Sequence, residues 1–500
     1  MPDAPSQAVP DLRSRVLKGL VWVGASQVGF QLTRALVAII IARLLTPGEY
    51  GLAALAIVFA SLVMVFSDLA IGAALIQRKT LSEADKSTAF WLTVASGIFF
   101  TVLGVLGSGV IASLYEEPDA RPLLMALSSS FIITALGATQ LTLMLRDMDF
   151  RRTELLTLAG TVAGGILGVA VAVGDGGAWA IITQQLTGAV VTTILVWWQS
   201  SWRPRWQFSR ASLRDLGGFS ANMLGQRLCW YLQVNGDSFM IGRFLGTAAL
   251  GTYAVAYNTI LVPASKLGGP LQRVFSPAFS RIQDEPERIA ATWARVARLI
   301  AAVSVPALAG LVVVAPDFVP LVLGEQWRGS VPVVQVLAWV GIVQALQALN
   351  MDVLMARDRT ATMFRFATVL TTCHLVAFAI GLHWGVVGVA TAYAISTTLV
   401  EPGLTILASR ALGVSPMIYF RAVAGPFQAA LGMCAAVLGV RWALVDAEPA
   451  LRLVASIAVG VVVYAGLCAW RVPQLMDEVR GLLRRRRGGL APATPLAEPT

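Results

Sequence analysis

The stretch Ile41-Ala42-Arg43-Leu44-Leu45-Thr46-Pro47-Gly48-Glu49-Tyr50-Gly51-Leu52-Ala53-Ala54-Leu55-Ala56 closes one long apolar segment, turns a short polar corner and opens the next. Two hundred residues later the chain does so again, with Ile241-Gly242-Arg243-Phe244-Leu245-Gly246-Thr247-Ala248-Ala249-Leu250-Gly251-Thr252-Tyr253-Ala254-Val255-Ala256. Six of the sixteen positions match. Alanine and leucine matches carry little information in so apolar a chain, so Arg43/Arg243 and Gly51/Gly251 hold the weight. A duplicated membrane bundle with its function between the halves is the expected architecture.

Composition fixes the class. Hydrophobic residues make up 56% and charged residues 13%, against about 25% charged in soluble chains; mean hydropathy is +0.71. Apolar runs of membrane-spanning length recur from Gly19 to Trp470, which predicts an all-α polytopic membrane protein. The short alternating segments of a membrane β-barrel do not occur. The first run follows a basic tail with Arg13, Arg15 and Lys18, and reads as an uncleaved first helix. Cys229, Cys373, Cys434 and Cys468 all fall inside apolar runs, as small core residues without zinc or disulfide spacing.

Fourteen spans are expected, at about 18–44, 49–76, 88–113, 121–145, 153–174, 177–199, 218–242, 248–272, 296–323, 331–355, 361–382, 385–408, 421–443 and 451–471. They divide the chain into a cytoplasmic tail (1–17), an N-lobe of six spans (18–199), an inter-lobe linker (200–217), a C-lobe of six spans (218–408), spans 13 and 14 (421–471) and a basic, disordered tail (472–500). With the N-terminus inside, the inside segments hold 29 Lys and Arg against 6 at the outside corners. The positive-inside rule then places both termini in the cytoplasm and explains the net charge of +10 without nucleic acid. Arginine outnumbers lysine 34 to 4, which fits a bacterial inner membrane. The linker between spans 8 and 9 carries an expected interfacial helix within Leu271–Ala294, with Ile289, Trp293 and Val296 on one stripe. The four arginines Arg484–Arg487 suit anionic membrane lipids.

The echo continues. Pro122 to Ala138 aligns with Pro332 to Ala348, and Met144-Leu145-Arg146-Asp147 is answered by Met355-Ala356-Arg357-Asp358. The offset stays between 200 and 211, which is six spans. Six is even, so the halves enter the membrane in the same direction and the relating axis runs along its normal.

Lys18-Gly19-Leu20-Val21-Trp22, the corner Ala42 to Leu52, Phe66-Ser67-Asp68-Leu69, Ala74 to Lys79 and Ser87-Thr88-Ala89-Phe90-Trp91 together resemble bacterial polysaccharide exporters. Gly236-Asp237-Ser238-Phe239-Met240-Ile241-Gly242-Arg243 and Phe275-Ser276-Pro277-Ala278-Phe279-Ser280-Arg281 continue the match. The chain is similar to the colanic-acid and teichuronic-acid type exporters of the multidrug/oligosaccharidyl-lipid/polysaccharide superfamily, over about residues 15–475. The resemblance implies a flippase carrying undecaprenyl-diphosphate-linked oligosaccharide from the cytoplasmic to the periplasmic leaflet, for exopolysaccharide or lipopolysaccharide synthesis. A polysaccharide polymerase and co-polymerase would be its partners.

Charged and amide side chains inside apolar spans point to a cavity, because a charge at mid-bilayer costs about 2.5–3.5 kcal/mol. Gln27, Gln31 and Arg34 share one face of span 1; Asn222, Gln226 and Arg227 form a stripe in span 7, followed by Gln233, Asn235 and Asp237. These residues are candidates for binding substrate. An Arg34/Arg227 pair suits a diphosphate, whose oxygens a guanidinium fork binds bidentately; the same groups also suit interhelical bonding. Asp68 and Lys266, in repeat-partner spans, are candidates for an inner gate or ion coupling, and Lys266 also suits snorkelling. Arg43 and Arg243 are expected at the outer headgroups. Asp147-Met148-Asp149 has the D-x-D form of metal-using glycosyltransferases, yet its loop is short. Neither a P-loop nor histidine metal spacing occurs. No cofactor, metal or enzymatic step is implied. The alternatives are a cation-coupled drug or metabolite antiporter on the same fold, a membrane-embedded sugar polymerase and a structural scaffold. An antiporter calls for carboxylates in the cavity; a polymerase calls for large outside loops.

Overall fold

The computed structural model describes residues 31, 33–67, 72, 75–76, 78, 81–209, 221–259 and 285–472. Every regular element among them is helical: α1 (33–44), α2 (Pro47–Ser67), α3 (Glu83–Leu114), α4 (Ala120–Arg146), α5 (Phe150–Val173), α6 (Trp179–Gln199), α7 (Ala221–Leu245) and α8 (247–259). There follow α9 (Pro286–Phe318), α10 (Val331–Gln347), α11 (Asn350–Ala356), α12 (Thr360–Gly381), α13 (Gly385–Val400), α14 (Pro402–Leu412), α15 (Met417–Ala443) and α16 (Pro449–Arg471). Ten of the described stretches are long and apolar enough to cross a membrane. The chain is an all-helical, multi-pass membrane protein.

Helix starts follow local chemistry. At α2, Glu49 Oε2 accepts from the Thr46 N–H and hydroxyl, each at 2.8 Å, while Pro47 fills the first helical position. Ser82 and Asp85 form a reciprocal capping box at α3, with Asp85 N–H donating to Ser82 Oγ at 3.1 Å and Ser82 N–H to Asp85 Oδ2 at 2.9 Å. The D-x-D motif is used in the same way: Asp147 is the C-cap of α4, and Asp149 caps α5 by accepting from the Arg152 N–H at 3.4 Å.

The echoed corners at Asp147 and Arg357 share backbone geometry. Met148 (φ 60°) and Asp358 (φ 52°) both adopt the left-handed conformation. Asp149 N–H closes onto Met144 O at 3.0 Å, and Arg359 N–H onto Leu354 O at 2.9 Å, which is a Schellman-type ending in each case. The geometry repeats at an offset of 210, one residue out of step with the letter match of Asp147 to Asp358.

The described chain falls into two compact units. One holds the described residues up to 259 together with 322–333 and 364–396; the other holds 285–321, 334–363 and 397–472. In the first unit small residues let helices approach closely, as expected where lipid supplies no competing apolar drive. Gly160, Gly164 and Gly168 line the α5 face toward α6, and a Cβ on Gly164 would stand 2.3 Å from Gln184 O.

The second unit corrects one expectation. Residues 271–284 of the expected interfacial helix lie outside the described residues, and from Pro286 the helix continues unbroken to Phe318. Ile289, Trp293 and Val296 are fully buried rather than turned to headgroups. Trp293 explains why: its Nε1–H donates to Asn350 Oδ1 at 2.8 Å, and its ring lies 4.7 Å from that of Tyr419. Asn350 in turn donates to Thr405 Oγ1 at 2.9 Å, and Thr405 donates to Gln347 Oε1 at 2.9 Å. This polar node is fully buried at the break between α10 and α11. A second break falls at Glu401, where α13 ends and Pro402 opens α14 without an N–H to give.

The hairpin α15–α16 is fixed to α9 by Asp317, whose side chain is 4% exposed. Its carboxylate pairs with Arg441 at 2.7 Å and takes a forked contact from Arg452, whose Nε donates to Oδ2 at 3.1 Å. Removing the carboxylate leaves two shielded guanidinium groups without their counter-charge. Asp317→Ala is therefore expected to destabilise the protein by about 3–5 kcal/mol, read as a fall in thermal unfolding temperature in detergent. An unchanged temperature would show that the joint contributes nothing.

Candidate functional site

Gly51 and Gly251 meet where α2 crosses α8. A Cβ on Gly51 would stand 1.7 Å from Thr247 O, and a Cβ on Gly251 would stand 1.8 Å from Pro47 O. Each glycine thus makes room for the carbonyl of the residue four positions before the other. Any side chain at either site would separate the two backbones, which is why the glycines recur.

The corners beside this crossing are clasped by loops from the opposite half of the sequence. Trp327 Nε1–H donates to Ala42 O at 2.7 Å, Gln326 Nε2–H to Arg43 O at 3.0 Å, and Arg43 Nε–H to Val322 O at 2.8 Å. At the other corner Thr247 Oγ1–H donates to Glu117 Oε1 at 2.8 Å, and Arg243 pairs with Glu116 at 3.4 Å. Arg43 and Arg243, expected at the headgroups, are therefore engaged with protein. Behind the clasp, Phe59, Tyr115 and Phe239 form an aromatic cluster with ring centroids 5.4–6.2 Å apart. Tyr115 OH donates to Phe239 O at 3.2 Å and Tyr231 OH to Val58 O at 3.0 Å. Hydrogen bonds from rings to main-chain carbonyls thus tie α2, α7 and the α3–α4 turn together.

Packing loosens away from the corner. Ile41 and Ala42 in α1 and Leu45 just after it are buried, whereas Arg34 and Leu36 are exposed and Gln31 is half-buried. Arg34 and Gln31 stand three residues apart, hence on one face. Gln27, Asp68 and Lys266 lie outside the described residues, and Asn222, Gln226 and Arg227 occupy the first turns of α7.

Asp237, expected to line a cavity, is instead 0% exposed. Its Oδ2 accepts from Tyr253 OH at 2.6 Å and its Oδ1 from the Ser238 N–H at 2.6 Å. A carboxylate with both oxygens bonded inside the protein joins α7 to α8. Gln233 likewise bonds α7 to α12, donating to Thr371 Oγ1 at 2.7 Å and Ala367 O at 3.1 Å. Asn235 is half-buried and donates to Tyr231 O of its own helix at 3.2 Å. The sequence reading missed Tyr115, Tyr231, Tyr253 and Trp327. Their aromatic bodies match the apolar background, and only the hydroxyl or indole N–H marks a partner. Among the described residues no group of His, Cys, Asp or Glu is arranged to hold a metal ion.

The family model described as "Polysaccharide biosynthesis protein" matches residues 40–332. The chain is 31% identical over 375 residues to the lipopolysaccharide biosynthesis protein WzxC of Escherichia coli (strain K12), covering 74% of this chain and 76% of that one. It is 29% identical over 485 residues to the teichuronic acid biosynthesis protein TuaB of Bacillus subtilis (strain 168), covering 96% and 100%. Among solved structures, the lipid II flippase MurJ in an inward closed conformation superposes with a TM-score of 0.72 at 13% identity, over 91% of this chain and 99% of that one. A likeness at that identity speaks to the fold alone. With the corner pair, the helical framework and the sequence match in agreement, the chain belongs to the polysaccharide biosynthesis protein family.

Proposed function

We propose that this protein is a flippase that moves an undecaprenyl-diphosphate-linked oligosaccharide across the bacterial inner membrane by alternating access. The observation that carries the reading is the Gly51–Gly251 crossing with its two clasped corners. It closes one end of the α1–α2 and α7–α8 pairs, while the Arg34 end of α1 is less tightly covered. Two lobes of six spans, related by an axis along the membrane normal, would rock about this crossing. The family relatives are proteins of polysaccharide biosynthesis, and the fold neighbour is a lipid II flippase. The positive-inside count supports corners on the periplasmic side and both termini in the cytoplasm.

In this reading the diphosphate is met by Arg34 and Arg227, with Gln27, Gln31, Asn222, Gln226 and Asn235 beside it to bond sugar hydroxyls. Asp237 serves to hold α7 against α8. Asp68 and Lys266 remain the candidates for closing the cytoplasmic side. Each negative charge carried outward is favoured by about 2.3 kcal/mol per 100 mV with the inside negative, which is part of the driving force. The polymerase and co-polymerase that receive the cargo complete the proposed set of partners.

Three outcomes follow. In a strain lacking the gene, lipid-linked repeat units accumulate in the inner leaflet; Arg34→Ala and Arg227→Ala fail to clear them although both variants reach the membrane. Full clearance by both would sink the cavity assignment, and no accumulation would sink the flippase reading. Second, Gly51→Ala weakens the closed corner by about 1–3 kcal/mol, the usual scale of overpacking. In a background without native cysteines, Glu117→Cys then reacts faster with a membrane-impermeant thiol reagent; an unchanged rate would count against the crossing as a seal. Third, bridging Glu117→Cys and Thr247→Cys with a short reducible cross-linker stops export, and reduction restores it. Normal export by the cross-linked protein would exclude opening at this corner.

A further inference from the structure

The segment after α6 is fastened along the first turns of α3. Trp202 Nε1–H donates to Glu83 Oε2 at 3.0 Å, the Arg205 N–H to Ser87 Oγ at 3.2 Å, and the Ser209 N–H to Thr88 Oγ1 at 3.0 Å. In return Trp91 Nε1–H donates to Arg205 O at 2.9 Å, and the Trp91 and Trp206 rings stack at 4.1 Å. Glu83, Ser87, Thr88 and Trp91 recur at helical spacing, so one face of α3 carries the strap. Ser87 and Thr88 are fully buried beneath it.

Under the strap lies a cavity of about 770 Å³, open to the surface, also lined by the α4–α5 turn. Five of its lining residues are cationic and three are carboxylates. Two carboxylates are committed, Glu83 to Lys86 at 2.7 Å and Asp149 to Arg152 at 3.3 Å. Arg203 and Arg205, on the strap, are within salt-bridge distance of no carboxylate among the described residues. Arg203 is held in place, since its guanidinium donates to Trp202 O and Trp197 O at 2.9 Å each, bonds Ser200 O as well, and lies 5.5 Å over the Trp197 ring. Main-chain carbonyls fix the guanidinium without cancelling its charge, and some of its five N–H donors stay available. Beside the cavity Trp198 is 76% exposed and Trp206 89% exposed. Exposed tryptophans beside arginines are the signature of the bilayer's headgroup level.

We propose that this cavity binds the phosphate of an anionic membrane lipid, with Arg203 and Arg205 as its ligands and Trp198 and Trp206 against the acyl-chain margin. Charge selects a phosphate-bearing group, and the tryptophan rim selects one attached to a lipid over a free phosphate compound. This site shares no residue with the proposed cargo cavity and does not depend on the flippase reading.

The test uses the full-length protein in phosphatidylcholine nanodiscs doped with phosphatidylglycerol, with retained lipid counted by native mass spectrometry after release into neutral detergent. Wild type retains phosphatidylglycerol, and the Arg203→Gln/Arg205→Gln variant retains it about tenfold more weakly, as expected for loss of a charge-assisted hydrogen bond. Arg365→Gln, which removes one exposed charge elsewhere, leaves retention unchanged; an equal loss there would reduce the effect to overall charge and overturn the proposal. Equal retention by wild type and the double variant would also overturn it. Inorganic diphosphate is the second probe. If it binds through Arg203 and Arg205 while phosphatidylglycerol is not retained, the ligand is soluble and the lipid assignment fails. Trp206→Ala keeps both guanidinium groups, so faster lipid loss from that variant at unchanged unfolding temperature supports the site even if the double variant folds poorly.

Discussion

Two backbones in contact without side chains between them set the terms for the rest of this molecule. At the α2–α8 crossing the carbonyls of Pro47 and Thr247 occupy the positions where Cβ atoms of Gly251 and Gly51 would otherwise stand. That approach fixes how close α2 and α8 come, and with it the position of the corners that precede them. The clasps at Ala42–Trp327 and Thr247–Glu117 depend on those corners, and so does the Phe59–Tyr115–Phe239 cluster behind them. Contact of this kind has little chemical affinity of its own. The hydrogen bonds around its edge, each worth about 0.5–1.5 kcal/mol net, hold it shut, and a few such bonds are within reach of cargo binding energy. A seal that is geometrically tight and energetically modest suits a protein that has to open and close.

Much of the architecture was legible in the sequence because membrane helices obey two blunt constraints, apolar length and satisfied backbone. The Gly51/Gly251 echo was readable in letters alone, and it recurs because nothing larger fits. The polar stripe of α7 was visible too, but its members do different work. Gln233 and Asp237 are consumed by bonds to Thr371 and Tyr253, partners 138 and 16 residues away that no local pattern reveals. The same blindness hid the Asp317–Arg441–Arg452 joint, whose members look like ordinary corner charges. It also turned a buried stripe, Ile289–Trp293–Val296, into an expected surface helix. An amphipathic face shows that something apolar covers it and is silent on whether that is lipid or protein.

The distribution of basic residues has a counterpart in the folded units. Lys86, Arg146, Arg152, Arg203 and Arg205 line one cavity, though they come from three well-separated stretches of sequence. Arg43, Arg243 and the loops at Glu116–Glu117 and Val322–Trp327 come together at the corners. A charge bias that topology rules treat statistically is here a spatial grouping, with guanidinium groups at the corners engaged with protein and that of Arg203 on the strap held by main-chain carbonyls.

The two breaks in the second half have no match in the echoing segments α4 and α6 of the first. Where α4 runs unbroken from Ala120 to Arg146, the echoing segment stops at Gln347 and restarts at Asn350; where α6 is continuous, α13 and α14 part at Glu401. Gln140, the counterpart of Asn350 at an offset of 210, is buried with neither amide atom hydrogen-bonded, whereas Asn350 bonds Trp293 and Thr405. A helix that lacks a stretch of its i to i−4 ladder bends at lower cost than a complete one. The echoing segments are thus unequal, one continuous and one jointed. In the transport cycle proposed above, bending falls on the jointed segment, and the buried node at Asn350 sets how readily that joint yields.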